Sequence, residues 1–252
     1  MDQIISQKLN EIEEKEHVTI LLAVESGSRA WGFASPDSDY DVRFLYVRSK
    51  TQYLRLDRSR DVIEYMLDEV LDINGWDFDK TLRLMHGSNP TLFEWMSSPI
   101  VYWEHPFMQK VRAASLDYFL ARPGLHHYLN MAEGNYREYL KGETVRVKKY
   151  FYVLRPLLAC RHILAHGTPP PMRFKTLLRS EMDADVLPYV EELLERKQRT
   201  PEMGEGKRIE AINDYIERSL PEISERIALL PQPQKAGWDA LNALFAQSLE
   251  LS

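Results

Sequence analysis

Seven apolar or β-branched residues in a row, Val18-Thr19-Ile20-Leu21-Leu22-Ala23-Val24, run straight into the small polar turn Glu25-Ser26-Gly27-Ser28. A run this short and this apolar reads as a buried strand. Before it, Ile4, Ile5, Leu9 and Ile12 recur at helical spacing through residues 2–16 with charges between them, the mark of an amphipathic helix. After the turn, residues 29–33 suit a short helix, and Ala34-Ser35-Pro36-Asp37-Ser38 has the chemistry of a loop. Residues 42–47 are rich in β formers and predict a second strand. Residues 61–73 predict one or two more, ending at Asn74-Gly75.

From Asp77 the period changes. Asp77 is a plausible N-cap for a helix whose apolar face holds Phe78, Leu82 and Met85. Asn89-Pro90 ends that helix and starts another through Trp95, and Ser98 to Tyr102 reads as an edge strand or extended connector. Beyond Glu104 the pattern is helical, with breaks expected at Pro123-Gly124, Gly142, 167–171, 201–206 and 231–237. Strands thus gather in roughly the first hundred residues. The expected class is α+β, an N-terminal module over residues 1–104 and a helical module over 105–252.

Composition narrows the function. With 44% hydrophobic and 28% charged residues the 252-residue chain is of globular type. No run approaches the length of a membrane helix, and no basic leader with an apolar core is visible, so a cytoplasmic protein without membrane contact is expected. The single cysteine, Cys160, lies in an apolar stretch and reads as a buried small hydrophobe. A net charge of −6 argues weakly against coating duplex DNA, since a local basic patch can coexist with an acidic total.

One stretch carries chemistry: Gly27-Ser28, ten intervening residues, then Asp39-Tyr40-Asp41. Glycine lets backbone approach a ligand closely, N–H groups at a helix start bind phosphate, and the Ser28 hydroxyl can donate to a phosphate oxygen. Asp39 and Asp41 are two apart, so on a strand both carboxylates project from one face. Carboxylates held that close repel unless a cation sits between them, and a hard divalent ion, Mg2+ (or Mn2+), meets that demand. A phosphate cradle beside a carboxylate-held metal is the equipment for nucleotidyl transfer. Arg29 either touches phosphate or pairs with a loop carboxylate.

That layout resembles the signature of the DNA polymerase β-type nucleotidyltransferase superfamily. The longer string from Glu25 through Arg43 resembles, more narrowly, the YcgL-type nucleotidyltransferases, the polymerase-β-like proteins of bacterial RNA repair clusters. Asp72 to Asp77, Ser88 to Tyr102 and Lys148 to Ala159 support the narrower resemblance, which spans most of residues 20–170. It implies a polymerase-β-like palm at the N-terminus and a third carboxylate on a later strand, flanked by apolar residues. Leu71-Asp72-Ile73 matches, which makes Asp72 the favoured third metal-binding and catalytic residue, orienting and deprotonating the attacking hydroxyl; Glu64 and Asp77 are the rivals, Asp77 being preferred as a helix cap.

Lys148, Tyr152 and Arg155 stand at i, i+4 and i+7 of a helix expected over 145–165, hence on one face. Such a stripe can hold triphosphate or the acceptor's backbone, with Tyr152 stacking on a base; Lys149 is an alternative to Lys148, and an ordinary solvated face is the bland reading. Val147, Phe151, Leu154 and Leu158 would turn to the core. His162 and His166, also at i, i+4, have a metal-binding spacing, but no Glu-rich metalloprotease pattern accompanies them.

The expected activity is metal-dependent, template-independent transfer of a nucleoside monophosphate from a nucleoside triphosphate to an acceptor hydroxyl, with release of pyrophosphate. An RNA end is the acceptor that the resemblance favours; a protein hydroxyl or a small molecule is the alternative. A catalytically inactive nucleotide-binding or partner-regulated module is the competing reading.

Overall fold

An amphipathic helix, α1 (Asp2–Glu16), leads into β1 (Val18–Glu25), the apolar run itself. The computed structural model describes residues 1–66, 70–199 and 204–251. A five-residue helix α2 (Gly27–Trp31) follows the Gly-Ser turn, then β2 (Tyr40–Arg48), a short α3 (Lys50–Tyr53), β3 (Val62–Met66) and β4 (Leu71–Asp77). Next come α4 (Phe78–His86), α5 (Pro90–Met96), β5 (Val101–Glu104) and α6 (Met108–Ser115). Strand order is β3-β4-β2-β1-β5; β2 and β4 run parallel, and the other neighbours are antiparallel. The class is α+β, and among the described residues no helix is long and apolar enough to cross a membrane.

The sheet is covered on both faces. Ile20, Ala23, Val42, Phe44, Tyr46 and Ile73 meet Ile5, Leu9 and Ile12 of α1. On the opposite face Leu22, Val24, Leu45 and Val47 pack with Phe78, Leu82, Met85, Phe93 and Met108. Leu21 and Leu22 both join this second cluster because the register with β2 slips between Ile20 and Leu22, a bulge that lets two successive residues share one face. Burial on both sides is why β1 shows no alternation in sequence.

Two compact units emerge. The first comprises Met1–Ala30, Asp39–Phe119 and Lys235–Ser252, the second Trp31–Ser38 and Leu120–Gln234. This differs from a single cut at 104/105. The helix α6 brings Met108 and Val111 into the second cluster under the sheet. The final helix, reached last in the chain and spanning Asp239–Ser248, adds Leu241 and Leu244 to it, while Tyr118 donates its hydroxyl to the Gly237 carbonyl at 2.7 Å. Apolar patterning reports that these helices have a buried face, not which core buries it.

The second unit contains α7 (Ala121–Tyr139), β6 (Thr144–Arg146), α8 (Lys149–His166), α9 (Phe174–Glu181), α10 (Leu187–Arg199), β7 (Glu205–Lys207) and α11 (Glu210–Ala228), with β6 and β7 antiparallel. The last helix of the first unit is accordingly α12. Phe33 anchors the 31–38 segment in this unit, stacked on Phe151 at 5.0 Å and edge-on to Phe174 at 5.5 Å.

Three expectations need correction. Pro123-Gly124 does not break a helix: both lie in the first turn of α7, where Pro123, the third residue, has no intrahelical N–H bond to lose and the Gly124 N–H reaches the Leu120 carbonyl at 3.5 Å. Residues 144–146 are strand, so the helix expected from 145 begins at Lys149. Asn74-Gly75 does not end β4, which continues to Asp77. The expected break at 201–206 lies partly outside the described residues.

Gly75 has a packing reason. It faces Phe44 across the parallel pair, and a Cβ there would fall 2.2 Å from the ring's Cζ. Gly75→Ala therefore forces Phe44 off its position, and we expect a loss of about 1–3 kcal/mol, read from the midpoint of urea denaturation. An unchanged midpoint would show that the ring has room to move.

Candidate active site

The site grows from the end of β1. Gly27 takes a positive φ of 59°, a conformation that costs other residues strain, and it turns the chain from strand into α2. Its missing side chain has a second use: a Cβ would lie 2.0 Å from Oδ2 of Asp41. The glycine is thus where backbone and carboxylate come close.

Glu25, 0% exposed, holds the other side of this turn. Its Oε1 accepts from the Asp41 N–H at 2.8 Å and its Oε2 from the Tyr102 hydroxyl, while the Ser26 N–H donates to the Asp41 carbonyl at 2.8 Å. Burial raises the Glu25 carboxyl above its usual range, against the two hydrogen bonds that favour its charged form. These bonds clamp the start of β2 to the end of β1.

The parallel register then matters. Asp41 pairs with Asp72 across β2 and β4, so their side chains share a sheet face, and Asp39 lies one two-residue period before Asp41. Asp39 is exposed, Asp41 and Asp72 half-buried. The Asp41 carboxyl is raised, first by burial and then by the neighbouring Asp72 and Asp39 charges, with Arg43 opposing.

Arg43 is the counter-charge. Its NH2 group lies 3.1 Å from Asp41 Oδ1 and 2.8 Å from Asp72 Oδ2, and its NH1 donates to the Val42 and Asp72 carbonyls. The three aspartates do not form a group with every donor atom within 4.8 Å, among the described residues. The guanidinium sits between two of them.

The rivals of Asp72 are otherwise occupied. Glu64, on β3, pairs with Arg60 at 2.7 Å. Asp77 caps α4, accepting from the Asp79 N–H at 3.0 Å and the Tyr53 hydroxyl at 2.7 Å, and pairs with Arg48. Arg29 donates Nε to the Asp39 carbonyl at 3.0 Å and lies over the Tyr40 ring at 3.7 Å, so it braces the segment that carries the first carboxylate. Ser28 is half-buried in the first turn of α2.

Lys148, Tyr152 and Arg155 belong to the other unit, where Tyr152 and Arg155 share a helix face that Trp31 covers. Lys148 precedes α8 as its N-cap residue, and Tyr152 is half-buried and edge-on to Trp31. Arg155 is 2% exposed, its guanidinium 4.5 Å over Trp31 and its NH2 donating to Met172 Sδ at 3.5 Å. α8 is buried nearly all round, which a helical-face argument that presumes one wet side does not foresee. Val147, Phe151, Leu154 and Leu158 are in the core as expected, and Lys149 lies over Tyr139 and Tyr152. Cys160 is buried, its thiol pushed well up by burial.

Two residues of the site, Glu25 and Arg43, had no role in the sequence reading. The signal for Arg43 was present: it lies two residues beyond Asp41 on the same strand face. Nothing local marks Glu25, whose partner Tyr102 is 77 positions away.

The donor set suits a hard divalent cation: all side-chain oxygens, Asp41 and Asp72 on one sheet face with Asp39 two residues before Asp41, and no side chain at Gly27 to crowd Asp41 Oδ2. The chain is 46% identical over 253 aligned residues to the uncharacterized protein YcgL of Bacillus subtilis (strain 168), covering 99% of this chain and 97% of that one. A nucleotidyltransferase-like protein from Exiguobacterium sibiricum 255-15 aligns over 97% of this chain and 89% of its own at 12% identity, with a TM-score of 0.32. The model of one family, described as the RNA repair pathway DNA polymerase beta family, matches residues 1–247, and the chain belongs to that family.

Proposed function

We propose that this protein is a metal-dependent nucleotidyltransferase that adds a nucleoside monophosphate to an RNA end. The observation that carries the reading is the parallel pairing that sets Asp72 opposite Asp41, two residues after Asp39 and beside the Gly27 turn. The triphosphate rests against the backbone N–H groups and hydroxyl of Gly27-Ser28. Asp39 and Asp41, with Asp72, would hold Mg2+ or Mn2+, which supplies charge stabilisation of the entering and leaving oxygens. Arg43 keeps Asp41 and Asp72 in place and offsets their charge.

In the transfer step the acceptor hydroxyl oxygen bonds to the α-phosphorus, the bond from that phosphorus to the bridging oxygen of the β-phosphate breaks, and pyrophosphate leaves. Asp72 orients the hydroxyl and takes its proton. The family description supports RNA as the acceptor class; protein and small-molecule hydroxyls are the competing pools.

The deciding experiment incubates the full chain with each labelled nucleoside triphosphate, Mg2+ or Mn2+, and separate pools of RNA, protein and metabolites. Label should enter RNA, and Asp41→Asn should lower the rate about a thousandfold or more while the far-ultraviolet spectrum stays unchanged. Label in another pool would change the acceptor; nucleotide binding without transfer to any pool would replace catalysis with a binding role.

Gly27→Ala should weaken metal-supported nucleotide binding, because the new Cβ must displace the Asp41 carboxylate and the positive φ adds about 1–2 kcal/mol of strain. Calorimetric titration would read it, and wild-type affinity would remove Gly27 from the site.

The raised Asp41 carboxyl sets a pH dependence. A proton competes with the cation there, so Mg2+ affinity should begin to fall at a pH above the ordinary Asp range of about 3.9. Stability has the opposite sign. A raised acid pKa gives the folded state a benefit that is full below the unfolded value and lost as pH rises through the folded one. Metal titrations and melts from pH 4.5 to 8, with Asp41→Asn as reference, measure both; parallel curves for the two proteins would remove Asp41 as the cause.

A further inference from the structure

We infer that the helical unit carries a transition-metal site, best suited to Zn2+, built from His162 and His166 of α8 and Glu181, the last residue of α9. These three are the group whose donor atoms all lie within 4.8 Å of one another, among the described residues. His162 Nδ1 is 3.3 Å, and His166 Nε2 3.5 Å, from the same carboxylate oxygen, Glu181 Oε1. Tetrahedral zinc with bonds of about 2.0–2.1 Å places its donors about 3.3 Å apart. Both imidazole–carboxylate separations stand near that spacing, and the donors of the two rings lie within 4.8 Å of each other.

The helix spacing prepares half of the site, since residues at i and i+4 stack one above the other, and the rings are 4.5 Å apart. The carboxylate that the sequence lacked nearby arrives from the next helix. Two histidines and one glutamate form a donor set that zinc proteins use with a fourth position left open. Here His166 supplies the open side, its side chain 54% exposed, while those of His162 and Glu181 are 14% and 8% exposed.

The electrostatics call for a cation. Glu181 is a buried carboxylate whose ion-pair partners, among the described residues, are these two imidazoles. The Thr168 hydroxyl stands 3.3 Å from His162 Nε2. With the Nε2 proton given to Thr168, Nδ1 presents a lone pair to the carboxylate oxygen, an arrangement that a metal between them resolves. Thr168 then has the outer-sphere role that fixes tautomer and ring orientation at histidine–metal sites. Bound metal would tie the end of α8 to the end of α9 and keep one face toward solvent.

The test uses the full chain stripped with chelator and titrated with Zn2+ and, separately, Co2+. We expect one equivalent to bind with the intense visible absorption of tetrahedral Co2+, and the melting temperature to rise by about 5–10 °C at a hundredfold excess of Zn2+ over its dissociation constant. Thr168→Val should weaken binding about 10–100-fold, and His166→Ala and Glu181→Gln more than that. His166 is largely exposed, so its removal leaves the fold intact and keeps the comparison fair. Asp41→Asn should leave this equivalent unaffected, which separates it from metal held by the aspartates. No tight equivalent in the wild type, or equal affinity in His166→Ala and Glu181→Gln, would overturn the site and leave a plain hydrogen bond between His162 and Glu181.

Discussion

The pairing of β2 with β4 is the constraint on which the rest of the site depends. The two strands are parallel, so a connection must carry the chain back to the starting edge, and α3 and β3 lie along it. Within a parallel ladder, register alone decides which side chains share a face. Here it places Asp41 beside Asp72, Arg43 beside Asn74 and Phe44 over Gly75. A slip of one residue would turn Asp72 to the opposite face and bring Ile73 among the charges. The fit of Phe44 against Gly75, a purely apolar contact, therefore also defends the placement of the carboxylates.

Charge and burial oppose each other around that pairing. Glu25 and Asp41 both have carboxyls raised by burial, and both are held by neighbours that favour the charged form, Tyr102 and the Asp41 N–H for the first, Arg43 for the second. Removing one partner from such a network leaves a desolvated group unsatisfied, which costs more than the contact contributed. The aspartates' mutual repulsion weakens the fold locally, and Arg43 offsets part of it.

Much of this was legible in sequence, for local reasons. Apolar runs and two-residue alternation announce strands, so β1 and β2 could be read directly, and the Gly-Ser turn between them follows from small residues after an apolar run. Asp77 as an N-cap was equally local. Arg155 shows where local reading fails: an i, i+7 spacing identifies a shared helix face but not whether water or Trp31 lies over it. Gly75 resembles a turn residue in sequence, and its true reason is an aromatic ring 31 positions earlier.

Sequence by itself determined the main strands and helices of the first hundred residues, the order of the Gly-Ser turn and the Asp39/Asp41 pair, and, through resemblance, the family. These depend on neighbours a few residues apart, whose geometry the backbone periods of 2 and 3.6 dictate. Only the tertiary structure decided that Asp72 rather than Glu64 or Asp77 stands beside Asp41, that Glu25 and Arg43 complete the network, that α12 returns to the sheet unit, and that Glu181 meets His162 and His166. Each of those is a contact between segments whose separation along the chain carries no period, so it is settled only when strands pair and helices pack.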